Sequence, residues 1–413
     1  MAEPTLAMAS SPEQVGLCAT RLQRITSVLQ ADVDRGRIPG AVVLVARHGR
    51  VAYFEALGSE GGPGEARAMR RDCVFRIAAM TRPVVAVAAM MLLEQGLLAL
   101  DHPVSDYLPE FARMQVGVEK IDDAGGRRLE LEPAHRAITV LDLLRHTAGL
   151  TYGPFGDSLV QRMYRQHDLM SGRQTNAEMT AKLTALPLQC QPGTAFEYGM
   201  STDVLGRIIE VVAGMDLARY IDENVTRPLG MRSTGFRLTD DAARLARPRF
   251  DPNGPPSVLF DYEEERPPVW ASGGAGLLST AGDYARFCQM LLNGGVLDGA
   301  RLLSRKSVEL MLADHLPAGV GLGMSTRGLG INAPLPEFGQ GHGLGVGVRN
   351  AKGQSPVPGS PGDFYWGGAL GTYFWADPSE QLITTLMLQE NDTATRAWYR
   401  SFLRNVVYGA LRD

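Results

Sequence analysis

Lysine is nearly absent from this chain of 413 residues: it occurs only at Lys120, Lys182, Lys306 and Lys352, and the rest of the basic charge is arginine. The 41 Lys and Arg are interspersed with 45 Asp and Glu, for a formal net charge of −4. No basic stripe is left to attract nucleic acid or an anionic membrane. Cysteine is scarce as well. Cys18, Cys73, Cys190 and Cys288 lie far apart, without the close pairing of a zinc site or a CxxC redox motif, so neither a metal nor another cofactor is expected. They read as free thiols, the usual state in a reducing compartment. No apolar run approaches the roughly 18 to 20 residues that span a bilayer, and "MAEPTLAMASSPEQVG" lacks the basic-then-apolar pattern of a secretory leader. A cytoplasmic, soluble protein with room for two subdomains is expected, with no nucleic-acid or membrane partner. Its oligomeric state is left open.

What is present is organised from the ends inward. A helix is predicted from Ala19 to Arg35, and "GAVVLVARHG" with "RVAYFEALG" reads as two β-branched strands turning at His48 and Gly49. Near the other end "GTYFWADPSEQLITTLMLQ" repeats strand, turn and strand, and a helix from Thr393 to Leu411 closes the chain. Strands at both ends predict one antiparallel sheet built from the two termini, an α+β fold. Residues 83–234 read as mostly helical, an inserted subdomain, whereas 247–268 and 317–362 lack periodicity and read as long loops of the kind that wall a pocket.

One helix stands out. From Val84 to Leu93 it is apolar on every face, which predicts burial at the centre of a domain. Pro83 suits a first turn and Gly96 a C-terminal cap. The residues just before Pro83 then lie at the positive end of a buried helix dipole, where a backbone N–H is placed to bind a developing oxyanion.

The segments "FRIAAMTRPV", "LLEQGLLALDHPVSDYLPEF", "ITVLDLLRHTAGLTYG", "PGTAFEYGMSTDVLGRIIEVVAG", "SGGAGLLSTAGDYARFCQMLLNGG" and "WGGALGTYFWADP" occur in an order that covers nearly the whole chain. In these the chain resembles the serine β-lactamase and penicillin-binding-protein-like hydrolases, in particular the class C-like branch of family VIII esterases and the acyltransferase of statin biosynthesis. The resemblance implies a β-lactamase/transpeptidase-like fold, with residues 1–80 and 236–413 forming the sheet subdomain, 81–235 a mainly helical one, and a cleft between them. It implies an esterase, amidase or acyltransferase acting on a small molecule. The family's catalytic tyrosine falls on Tyr198, and its third motif on Trp366, Gly367 and Gly368. The amides of Ala79 and Ala369 would form the oxyanion hole. Apart from the resemblance, Tyr152, just beyond the "HTAGL" segment, reads as a wall of the substrate pocket.

The first motif departs from the family twice. Where the branch has Ser-x-x-Lys, this chain has Ala79 and Arg82. A methyl group cannot attack a carbonyl, and a guanidinium keeps its proton at any ordinary pH, so it cannot serve as the base. The residues three positions before the four lysines are Gly117, Met179, Leu303 and Arg349, so no Ser-x-x-Lys or Thr-x-x-Lys exists anywhere, and no G-x-S-x-G replaces it. Three readings stay open: an esterase or acyltransferase whose nucleophile has been substituted, a natural pseudoenzyme that binds, and a repurposed enzyme working without a covalent intermediate, in which Arg82 would face a carboxylate or enolate. Other candidates have plainer readings. His146 is expected to be a buried structural histidine, Cys73 core, Thr81 turned away, and the glycine-rich run around His342 lacks the ending of a phosphate loop.

Overall fold

The computed structural model describes residues 5–61, 67–237, 244–247, 269–330, 333–390 and 392–412. A seven-stranded antiparallel sheet is its backbone. Helix α1 (Ala19–Asp34) leads into strands β1 (Gly40–Arg47) and β2 (Arg50–Gly58). Their two-residue turn places His48 at φ 52° and Gly49 at φ 74°, the left-handed pair that matches the twist of a hairpin. The buried helix α2 (Thr81–Glu94) follows, then a hairpin of β3 (Gln115–Ile121) and β4 (Arg127–Pro133), helix α3 (Ser201–Ala213) and helix α4 (Ala281–Leu292). Strands β5 (Gln340–His342), β6 (Gly347–Arg349), β7 (Phe364–Gly367), β8 (Tyr373–Asp377) and β9 (Leu382–Leu388) and helix α5 (Thr393–Tyr408) complete the description. The sheet runs β5-β6-β7-β8-β9-β1-β2, so β9 from the C-terminal part pairs with β1 from the N-terminal part.

Both faces of that sheet are covered, which is why β1 is apolar from Gly40 to Ala46 instead of alternating. Ala41, Val43 and Val45 face a core shared with Leu22, Ile25 and Leu29 of α1 and with Leu403 and Val407 of α5. Val42, Leu44 and Ala46 face the opposite core, together with Tyr284 and Phe287 of α4 and most of α2. Among the described residues no helix is long and apolar enough to cross a membrane.

The structure departs from the sequence reading in two places. The stretch expected to be helical contains the β3–β4 hairpin, in which Val116 and Gly117 are buried while the tip stays exposed. The stretch 317–362 is not a bare loop. It holds a short helix (Met324–Gly328) and the two strands β5 and β6. Its glycines hid the strands from any propensity argument because they serve close approach: a Cβ on Gly347 would sit 2.8 Å from the Tyr365 ring, and one on Gly341 2.3 Å from Asp314. Of the other expected loop, residues 248–268 lie outside the described ones.

Candidate active site

The turn that precedes α2 carries the first element of the site. Ala78, Ala79 and Met80 form one turn of 3-10 helix running into α2, and Ala78 adopts φ 44°. Left-handed backbone costs a residue with a Cβ on the order of 1–2 kcal/mol. Here it aims the next residue, Ala79, into a cavity of about 240 Å³. Neither the amide of Ala79 nor that of Ala369 has a protein acceptor among the described residues.

The cavity is walled from both sides. Tyr152, Phe155 and Tyr198 line it from the helical part, and Tyr365 to Ala369 from the sheet. In the Trp-Gly-Gly motif, Gly368 is demanded by packing against backbone, and Gly367 leaves room for the end of a flexible side chain. A Cβ on Gly368 would lie 2.2 Å from Thr372 Oγ1 and 2.5 Å from the Ile77 carbonyl, whereas one on Gly367 would lie 2.4 Å from a guanidinium nitrogen of Arg400. The residues given a site role from sequence, Ala79, Arg82, Tyr152, Tyr198, Trp366, Gly367, Gly368 and Ala369, all line this one cavity, whereas the candidates given plainer readings, His146, Cys73, Thr81 and His342, do not.

Arg82 is the centre of a buried network. It is 1% exposed, and its Nη1 donates to Thr202 Oγ1 at 2.9 Å, His146 Nε2 at 3.1 Å and the Gly199 carbonyl at 3.3 Å. Its Nη2 donates to the Tyr152 hydroxyl at 2.6 Å, and its carbon lies 4.3 Å from the centre of the Tyr198 ring. Burial works against the charge, but Tyr152, Tyr198 and Asp203 outweigh it and hold the guanidinium above its ordinary pKa. Arg82 is therefore a fixed cation whose two Nη atoms are both engaged by the protein, while its buried Nε has no hydrogen-bond partner among the described residues.

Asp203, on α3, is the acid in this network, and sequence reasoning passed over it. Its carboxylate accepts from Ser272 Oγ at 2.5 Å, from the Gly274 amide at 3.0 Å and from the Tyr152 hydroxyl at 3.4 Å. Burial raises its pKa and Arg82 opposes the rise. The signal was available: α3 is amphipathic and Asp203 falls on its buried side, where a lone acid implies a partner. His146 is buried as expected, yet it touches Arg82 directly, and burial and then Arg82 hold its pKa well below the ordinary value, so it accepts as a neutral ring. His342 lies on β5, at 5.2 Å between ring centres from Trp366, with its pKa pushed down to about 3 by burial. Thr81 accepts from the Leu277 amide, and Cys73 is buried with its thiol pushed up to about 12 by burial.

Sequence reasoning also missed the wall made by α5. Arg396 and Arg400 line the cavity and donate to the carbonyls of Ala369 and Gly368. Arginines at 396, 400 and 404 recur every four residues on a predicted helix, a one-sided stripe that pointed to a common face. Among the described residues, no group of three or more His, Cys, Asp or Glu side chains is placed to hold a metal ion.

Next to Tyr198, Glu197 ties the short helix Met324–Gly328 to the site. Its carboxylate accepts from Thr151 Oγ1 and from the Ser325 amide. Burial pushes its pKa up to about 7 from 4.5, against those hydrogen bonds. The folded state thus holds the proton more tightly than the unfolded chain. The stabilisation is complete below the unfolded pKa and is lost as pH rises through the folded one. A stability difference on the order of 3 kcal/mol between about pH 4 and about pH 8 is expected from this group. In Glu197→Gln, urea midpoints measured across that range should lose this component.

The family model described as Beta-lactamase matches residues 25–405. The chain belongs to the beta-lactamase family. Within it, Protein Rv1367c of Mycobacterium tuberculosis is 38% identical over 373 residues, 86% of this chain and 87% of that protein. Esterase EstB of Burkholderia gladioli is 30% identical over 415 residues, 94% of this chain and 96% of the esterase. Among solved structures, that of EstCE1, a hydrolase with promiscuous acyltransferase activity, superimposes with a TM-score of 0.75 at 29% identity, covering 94% of this chain and 99% of its own. The β-lactamase/transpeptidase fold and the esterase and acyltransferase branch expected from sequence are both borne out.

Proposed function

We propose that the cleft binds a small acyl compound, an ester or amide, with its carbonyl oxygen between the amides of Ala79 and Ala369, and that the chain as written forms no acyl-enzyme. On this reading Tyr198 and Tyr152 orient the ligand, Trp366 packs on it, and Gly367 and Gly368 let it approach the strand. The division into residues 1–80 with 236–413 against 81–235 describes the two sides of that cleft. One observation carries the proposal. All the residues that would receive a carbonyl surround one cavity, and the atom missing from it is the hydroxyl at position 79.

The esterase and acyltransferase relatives support the ligand class. The Arg82 network supports an established loss, because four side chains and a carbonyl are arranged around a guanidinium. A lysine, with one nitrogen, does not reproduce that fork. A second reading, proton transfer without a covalent step, is favoured by the Tyr152 hydroxyl lying between Arg82 and Asp203 at the cavity wall. Incubation of the unmodified chain with 4-nitrophenyl butyrate separates them from the esterase reading: saturable binding without nitrophenol release above the spontaneous rate is expected. Nitrophenol release that saturates would contradict it.

A further inference from the structure

The Trp-Gly-Gly motif has a direct partner on α5 that its own sequence does not announce. Arg400, in the middle of α5, sends Nη2 to the Gly368 carbonyl at 3.1 Å, and its guanidinium carbon lies 5.2 Å from the centre of the Tyr373 ring. The space it occupies exists because residue 367 has no side chain: a Cβ there would be 2.5 Å from the guanidinium carbon. Glycine at 367 and arginine at 400 are therefore one packing unit.

The Gly368 carbonyl and the Ala369 N–H belong to the same peptide group. In a trans, planar peptide the two point in opposite directions, so holding the carbonyl fixes where the N–H points. Gly368 is held further by its amide donating to the Thr372 carbonyl at 2.7 Å and by the Gly371 amide donating to its carbonyl at 3.1 Å. One turn earlier on α5, Arg396 donates to the next carbonyl, that of Ala369. Two cations on one helix face thus grip two successive carbonyls. A charged donor on a carbonyl also polarises the whole peptide, which strengthens the N–H as a donor to something else. The fold bears a cost for this arrangement, since burial lowers the Arg400 pKa to about 10.

We infer that Arg400 is a positioning residue: by gripping the Gly368 carbonyl it aims and strengthens the Ala369 N–H that receives the ligand carbonyl. The inference rests on the proposed placement of that carbonyl between Ala79 and Ala369. Because Ala79 does not attack, a bound ester persists long enough for spectroscopy. Isotope-edited infrared spectra of 4-nitrophenyl butyrate carrying carbon-13 at the carbonyl should show the stretch moved to lower frequency on binding to the unmodified chain.

Arg400→Met should lose most of that shift, and Arg400→Lys should regain part of it. Gly367→Ala, which keeps the arginine but fills its place, should lose the shift as Arg400→Met does. Thermal melting confirms that each variant is folded, and Gly367→Ala serves if Arg400→Met is not. An unchanged shift in a folded Arg400→Met or Gly367→Ala overturns the positioning role while leaving the carbonyl site standing. An ester that binds the unmodified chain without any shift overturns the placement of the carbonyl and this inference with it.

Discussion

Ala79→Ser/Arg82→Lys should release nitrophenol from 4-nitrophenyl butyrate in a burst, at least about 10²-fold faster than Ala79→Ser alone, which is the rate a positioned general base is worth. The reason is in the two atoms the chain lacks. Serine at 79 would supply an attacking oxygen at the head of α2, beside an amide with no protein acceptor among the described residues. It would still face a guanidinium that cannot take its proton. Lysine at 82 supplies an amine that can be deprotonated. Stopped-flow absorbance reads both the burst and its amplitude. Equal bursts from the single and double variants would mean that Tyr198 alone serves as base and that the Arg82 network is no obstacle.

Arg82→Met should destabilise the fold by about 3–5 kcal/mol, the range found when one member of a buried charged network is removed. Tyr152 would lose the donor at 2.6 Å and Thr202 the one at 2.9 Å, and Asp203 would be left buried with no cation. Arg82→Lys keeps the charge and should cost less. Urea unfolding, with the slope compared between variants, measures this. A loss below about 1 kcal/mol for Arg82→Met would show that the network only fills space.

The fold was readable because its signals are local and dense. Strand β1 is apolar on both faces, the His48–Gly49 turn needs two left-handed residues, and α2 has no polar side. Strands β5 and β6 escaped because their glycines carry no propensity for strand, being selected for contact with Asp314 and the Tyr365 ring. The site residues that carry the family motif were legible at the level of position. Their wiring was not. That Arg82 joins Tyr152, His146, Gly199 and Thr202, and that Arg400 reaches Gly368, depends on contacts between residues 32 to 120 positions apart, which no spacing rule reports.

The central claim is that the cleft holds an acyl compound and does not become acylated. Intact-protein mass spectrometry of the unmodified chain, run over time with 4-nitrophenyl butyrate at a concentration shown to saturate binding, tests it directly. The account predicts no butyryl adduct on the unmodified chain and a transient one, mapping to position 79, on Ala79→Ser/Arg82→Lys. A butyryl adduct on a cleft residue of the unmodified chain, formed and released with turnover, would contradict it.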